Sequence, residues 1–227
     1  MLTYRVGGAE VRFTNRADGD MGHGGAYVHA VAPEVEARRR AVVDRSWTWL
    51  RQVHGAHVVS VTGPGDAAGS RADGSVTARA GCALAVLAAD CALVALAGDG
   101  VVAVAHAGWR GLMAGVLEAT VARMRAVGAS RVAALIGPCI RAECYEFGPT
   151  DLDSLVSRLG SEVRSTTAGG RPALDLAAGV IAALRRVGVD AIDDVGECTA
   201  CAGGGTTYFS HRARGDTGRQ AAVLWRQ

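Results

Sequence analysis

The chain has 227 residues, 49% of them hydrophobic and 20% charged, with a formal net charge of +2. That length suits one sizeable domain or at most two small ones, and so weak a charge gives no electrostatic case for a nucleic-acid or membrane partner. All 24 basic residues are arginines, which excludes Schiff-base chemistry and a P-loop lysine and leaves guanidinium forks, well shaped for phosphate, as the permanent cations.

Six cysteines are too sparse for a disulfide scaffold, and no cleavable apolar leader opens the sequence. No apolar run approaches the roughly 20 residues that span a bilayer. A cytoplasmic protein with reduced thiols is expected.

In chain order, Val11-Arg-Phe13 reads as a short edge strand, followed by a Gly/Asp-rich loop carrying Arg16, Asp18, His23 and His29. Pro33 suits the first position of a helix, which the sequence continues toward Leu50. Ala37, Val42, Trp47 and Leu50 do not share one stripe of that helix. A β-rich run follows His57 and ends at Gly63-Pro-Gly65; residues 66–75 read as a small-residue loop ending in Ala72-Asp73-Gly74. From Ala80 to Gly98 the chain is nearly all apolar, as for a strand buried on both faces, with Asp90 its only charge. A buried carboxylate costs several kcal/mol unless bonded or paired, so Asp90 needs a partner: backbone donors, or Cys91 or His106 nearby.

Downstream, one helix is expected from Gly111 to Gly128, then a strand ending at Gly137 and a helix over residues 150–159. Residues 160–172 read as a loop, Asp175 to Gly188 as an amphipathic helix, Val189 to Gly196 as a strand, and Ala221 to Trp225 as the last strand. Irregular interleaving of helices and strands predicts a single α/β or α+β domain, a mixed sheet flanked by helices.

The chemistry concentrates where Ala89-Asp90-Cys91 and His106-Ala-Gly-Trp-Arg-Gly111 bracket two strand-like runs joined by Gly98-Asp99-Gly100. A two-residue Asp-Gly turn pairs residues whose numbers sum to 199 and sets Cys91 opposite Gly108, on the face of His106. The diagonal Cβ separation is then about 7–8 Å; a three-residue turn would put the two on opposite faces. A thiol and an imidazole aimed at one point suit a metal, with His54 as a third N/S/N ligand or simply a surface histidine. They equally suit a Cys91 nucleophile with His106 as base and Asp90 as orienter. A third possibility is a non-catalytic nucleotide pocket around Trp109, Arg110 and the helix start. Cys198-x-x-Cys201, ten residues before His211, looks like half of a zinc knuckle or a redox pair. With no second such pair, Cys201 reads as coincidental, and Cys139 and Cys144 as packing residues.

Several motifs then occur in a familiar order: Gln52-Val-His54-Gly55, Ala72-Asp73-Gly74, Ala89-Asp90-Cys91, His106-Ala-Gly-Trp-Arg-Gly111, Gly137-Pro138, Cys144-Tyr-Glu146, Cys198-Thr199, Phe209-Ser-His-Arg212 and Gly218-Arg-Gln220. From about Phe13 to the C-terminus the chain resembles the YfiH-type family, the laccase-domain or "polyphenol oxidase" proteins. The resemblance implies an α/β domain related to the cysteine-hydrolase-like fold of cytotoxic necrotizing factor toxins. It implies zinc held by His54, Cys91 and His106. It also implies purine nucleosides and phosphate as partners, in phosphorolysis of adenosine, inosine, guanosine and methylthioadenosine and in adenosine deamination. The laccase label implies copper and phenol oxidation, which one N/S/N site supports poorly. A hydrolytic role on peptidoglycan precursors has also been attached to bacterial members.

On this reading the catalytic residues are Asp90, Cys91 and His106, and Arg16, Asp73, Arg110 and Arg212 contact substrate or phosphate, with the amides of Gly108–Gly111 assisting. Asp90 would position a group or relay a proton. The family's Gly-Gly-Val-Ser and Asn-Leu are replaced here by ADGDMG and AYVHAV, and Ala92-Leu93 stands where a proline is usual two residues after the cysteine. These departures bear on substrate choice more than on the metal.

Overall fold

A computed structural model describes residues 1–22 and 32–227; His23, His29 and the AYVHAV stretch lie outside the described residues. The chain opens with β1 (Leu2–Val6) and β2 (Ala9–Phe13), then α1 (Pro33–Val42), β3 (Trp47–Thr48), β4 (Leu50–Arg51), β5 (Val58–Ser60), β6 (Ser70–Arg71) and β7 (Gly74–Thr77). The central strands are β8 (Ala83–Ala88), β9 (Ala92–Gly98) and β10 (Val101–Ala107), followed by α2 (Trp109–Ala114), α3 (Val116–Ala126) and β11 (Ala133–Ile136). The remainder comprises α4 (Pro149–Leu159), β12 (Arg164–Thr166), β13 (Pro172–Leu174), α5 (Leu176–Arg186), β14 (Ala191–Asp194), the short α6 (Ala202–Gly205) and α7 (His211–Arg214), and β15 (Gln220–Trp225).

Two mixed sheets carry the fold, ordered β1-β2-β15-β8-β3 and β14-β11-β9-β10-β7-β5. They pack face to face. Leu84 and Val86 of β8 and Ala222 and Leu224 of β15 share a buried cluster with Leu93 and Ala95 of β9 and Val102 and Val104 of β10. The alternate residues of the same strands turn outward, as the two-residue period of a strand requires. Val94 and Leu96 meet Leu112, Leu117, Val121, Leu155 and Val180 of the helices. Ala83, Ala85, Val223 and Trp225 pack with Val42 of α1 and with Met21. The layers are therefore helix, sheet, sheet, helices, and every residue of β8, β9, β10 and β15 is buried.

The hairpin has the expected register: Val101 pairs Gly98, His106 pairs Leu93 and Ala107 pairs Ala92. Asp99 and Gly100 have φ of 50° and 80°, the left-handed pair that a two-residue turn needs to match strand twist. The Asp99 carboxylate accepts from Ser130 N, Ser130 Oγ and Arg131 N at 2.7–2.8 Å, tying the turn to the approach of β11.

The apolar run from Ala80 is two strands in two sheets, not one. It breaks at Ala89-Asp90-Cys91, where Asp90 takes φ 118° and the chain crosses between sheets. The helix from Pro33 stops at Val42, since Val43 is extended and Trp47 joins β8; this is why Ala37, Val42, Trp47 and Leu50 share no stripe. Gly115, at φ 89°, splits the expected Gly111–Gly128 helix into α2 and α3. Val11-Arg-Phe13 is interior, because β1 folds back outside it. Residues 160–172 include β12, which pairs with β13, and residues 66–75 include β6, which pairs with β4.

Candidate active site and metal centre

Three chain segments meet at one end of the two sheets. His106 lies near the end of β10, Cys91 at the crossover into β9, and His54 in the loop after β4. Their ligand atoms all lie within 4.8 Å of one another. His54 Nε2 is 3.8 Å from Cys91 Sγ, and the two imidazoles cross edge-to-face with centroids 4.9 Å apart.

Asp73 organises two of the three. Its fully buried carboxylate accepts from the backbone N–H groups of Val53, His54 and Gly55 at 2.8–3.2 Å and contacts His106 Nδ1 at 2.9 Å. One carboxylate thus clamps the His54 loop, where His54 itself has φ 59°, and directs His106 Nε2 toward the thiol. Gly108 completes the convergence. A Cβ there would lie 2.7 Å from Cys91 Sγ and 3.1 Å from His54 Cδ2.

Burial alone would raise the Cys91 thiol, but His106 and His54 beside it bring it down to about 6. Burial would depress His106, yet Cys91 and Asp73 carry it up to about 9. Burial opposes ionisation of Asp73 as well, and its bonds from His106 and the loop amides outweigh this and hold it below the usual carboxylate range. Each of Cys91 and His106 thus favours the charged form of the other. The donor set of one thiolate and two imidazoles fits a borderline-soft divalent metal, and three protein ligands beside a cavity match an open rather than a closed site.

That cavity has a volume of about 630 Å³, within the range of small-molecule sites. Its aromatic walls are Trp49, Trp109 and Tyr145, and its cations are Arg51, Arg110, Arg212 and Arg219. Arg110 stacks on Trp109 at 4.3 Å and Arg212 on Tyr145 at 4.9 Å, arrangements that fix a guanidinium without using all of its donors. Gln52 forms part of the wall; its side chain donates to Leu87 O and accepts from Leu87 N, like a short piece of strand.

Of the residues expected from sequence, His54, Asp90, Cys91, His106, Arg110 and Arg212 line this cavity. Asp73 does not: it lies beneath, with its oxygens taken up by protein donors. Arg16 does not either, because it pairs with Asp216 at 2.5 Å and stacks on Phe209. Asp90 is not the orienter of His106. Its carboxylate accepts from Thr199 Oγ1 at 2.8 Å and Arg212 N at 2.7 Å, holding the strained crossover. The helix after His106 begins at Trp109 as expected, but α2 has only six residues, so its macrodipole is small and the arginines dominate anion attraction. The cavity also holds Arg219 of the Gly218-Arg-Gln220 motif, and Trp49, Arg51, Tyr145 and His211, for none of which does the sequence alone indicate a role at this site.

A second cluster lies elsewhere. Glu143, Cys144, Cys198 and Cys201 bring one carboxylate and three sulfurs within 4.8 Å of one another. Cys144 packs against the helical core and also stands beside the Cys198–Cys201 pair, neighbours that the spacing of that pair did not reveal.

The family model described as multi-copper polyphenol oxidoreductase laccase matches residues 3–227. A purine nucleoside phosphorylase of Streptomyces coelicolor is 41% identical over 197 residues, covering 85% of this chain and 80% of the relative. One from Mycobacterium tuberculosis H37Rv is 39% identical over 181 residues, covering 78% and 71%. Neisseria meningitidis protein NMB0706 shares the fold with TM-score 0.81 and 30% identity, covering 100% of this chain and 98% of its own. Bacillus licheniformis YfiH does so with TM-score 0.82 and 25% identity, covering 96% and 93%. With its His54-Cys91-His106 group beside an arginine-lined cavity, the chain belongs to the multi-copper polyphenol oxidoreductase laccase family, the group that includes YfiH.

Proposed function

We propose that the chain is a zinc-dependent purine nucleoside phosphorylase acting on adenosine, inosine, guanosine or methylthioadenosine, with adenosine deamination as a second activity. The observation that carries this reading is the three-ligand N/S/N group in the floor of a 630 Å³ cavity walled by both aromatic and arginine side chains. The names of the 39–41% identical relatives support the phosphorolysis part of this reading.

His54, Cys91 and His106 would hold the metal, which when bound supplies a Lewis acid to polarise substrate or activate water. Arg110, Arg212 and Arg219 hold phosphate through charge-assisted hydrogen bonds. The faces of Trp49, Trp109 and Tyr145 accept the purine and ribose. A phosphate oxygen forms a bond to the ribose anomeric carbon as the bond to the purine nitrogen breaks, through an oxocarbenium-like transition state. The electron pair leaves with the purine, which takes up a proton. Asp90 acts here as a positioning residue, fixing the Arg212 backbone and the Cys91 crossover. Asp73 positions His54 and His106.

Incubation with adenosine, with and without inorganic phosphate, tests the proposal. Phosphate-dependent adenine and ribose 1-phosphate are expected, and inosine reports deamination. Activity should disappear with a strong chelator and return with zinc but not copper. Absence of both product pairs from metal-replete protein would sink it.

The Asp73–His106–Cys91 alignment favours a second reading, a thiol hydrolase of amide bonds such as those of peptidoglycan precursors. It requires metal-free protein to be active and a trapped acyl group on Cys91. The phosphorylase reading requires neither.

A further inference from the structure

We infer that Glu143, Cys144, Cys198 and Cys201 form a second, structural zinc site, separate from the cavity. Their ligand atoms lie within 4.8 Å of one another, and Cys201 Sγ is 3.7 Å from Glu143 Oε1. A tetrahedral zinc with bonds of about 2.0–2.3 Å separates its ligands by roughly 3.5–3.8 Å, so the donors need only small rotations to close on an ion. Four protein donors fill a tetrahedron, and a filled tetrahedron is a structural site.

The local backbone is built to present them. Cys144 ends the 3-10 turn Ala142–Cys144, and Cys198 sits on an isolated parallel bridge to Cys139. Cys201 is the N-cap of α6, whose turn is closed by Ala202 N donating to Cys198 O and Gly205 N donating to Cys201 O. Cys198 is buried and accepts a hydrogen bond from Arg141 N at 3.5 Å, the kind of outer contact that steadies a thiolate ligand. A disulfide would use two of the three sulfurs and leave the third, with a carboxylate, pressed against it. A metal uses all four donors.

Such an ion staples two turns that serve the cavity. Tyr145, which follows Cys144, forms part of the cavity wall, and Thr199, which follows Cys198, holds Asp90. Metal here would brace the wall without touching substrate.

The test is metal content and cobalt(II) absorption of reduced, zinc-loaded and desalted protein. Wild type should carry two equivalents of zinc. Cys201→Ala and Cys144→Ala should each carry one, keep phosphorolysis and melt at a lower temperature. His54→Ala should lose the other equivalent and keep this one. Glu143→Gln, which removes no sulfur, should weaken the second equivalent by about tenfold with the fold intact. Cobalt-loaded His54→Ala should retain sulfur-to-metal absorption of a three-thiolate site, and Cys201→Ala should lose that absorption, keeping only the single-thiolate band of the other centre. A single equivalent in wild type that His106→Ala abolishes would overturn the inference. So would a disulfide among Cys144, Cys198 and Cys201 in freshly isolated protein. Because the two equivalents are counted in separate variants, failure of the nucleoside reading leaves this result unaffected.

Discussion

Asp73 and His106 meet at 2.9 Å beneath the cavity floor, and the same carboxylate accepts the amides of the loop that carries His54. One buried side chain therefore sets the orientation of two imidazoles that belong to different elements. Asp73→Asn replaces an oxygen with an NH₂ group facing existing donors. Leaving buried donors unmatched costs about 1–3 kcal/mol, and loss of an orienting partner typically weakens a metal site by about 10–100-fold. Chelator competition should show that weakening, with a lowered melting temperature in the same variant. Unchanged metal affinity would contradict the assignment of Asp73 as the organiser.

Asp99 makes a second expectation available, in acid. Its carboxylate is held down to about 2, chiefly by the Arg131 and Ser130 backbone and side-chain donors, against an ordinary value of 3.8. A depressed folded-state value means that the group contributes stability above pH 4, which is lost as the pH falls toward 2. Asp99→Asn keeps a residue that tolerates the left-handed turn but removes the charge. The difference in melting temperature between wild type and this variant should be constant from pH 7 to 5 and shrink between pH 4 and 2. A difference that persists at pH 2 would show that the hydrogen bonds, not the charge, hold the turn.

How much of this was legible in the sequence depends on the range of each interaction. The Asp99-Gly100 turn and the alternation of β9 and β10 are local, so register, and the approach of Cys91 to Gly108, followed from the residues themselves. The break at Asp90 did not, because an apolar run looks the same whether it crosses one sheet or passes between two. Asp90 stands out in the sequence as a charge needing a partner, but the donors, Thr199 and Arg212, lie more than a hundred residues away. Asp73 was visible only as part of a motif; its partners are backbone amides 18–20 residues upstream and a histidine 33 residues downstream. The Cys198–Cys201 spacing gave half of a cluster whose other half is Cys144 and Glu143, across the intervening helices α4 and α5 and strands β12, β13 and β14.

If the proposed function holds, Arg110 binds the phosphate, and this can be tested without altering His54, Cys91 or His106. Its guanidinium lies 4.3 Å from the Trp109 ring centroid and faces the cavity. A hydrogen bond to a charged group is worth about 1.5–3 kcal/mol, so Arg110→Ala should raise the KM for phosphate by roughly tenfold or more. Zinc content should not change. Arg110→Lys restores charge without the planar fork and should recover only part of the loss. A nucleoside KM that rises while the phosphate KM stays fixed would reassign Arg110 to the other substrate.

Gly108 separates the geometry of the candidate metal centre from the stability of the fold. Its φ and ψ of −79° and 169° are open to any residue, so Gly108→Ala introduces no backbone strain. The added methyl would lie 2.7 Å from Cys91 Sγ and 3.1 Å from His54 Cδ2, too close for either to remain in place. The thiol and the exposed His54 can rotate away, whereas the β9–β10 pairing beneath them does not depend on that space. On the proposed function, the expected outcome is a loss of metal affinity at this centre of at least about tenfold, with phosphorolysis falling in parallel and the melting temperature of the chelated protein nearly unchanged. Full zinc content and activity in Gly108→Ala would mean that Cys91 and His54 do not converge on one ion.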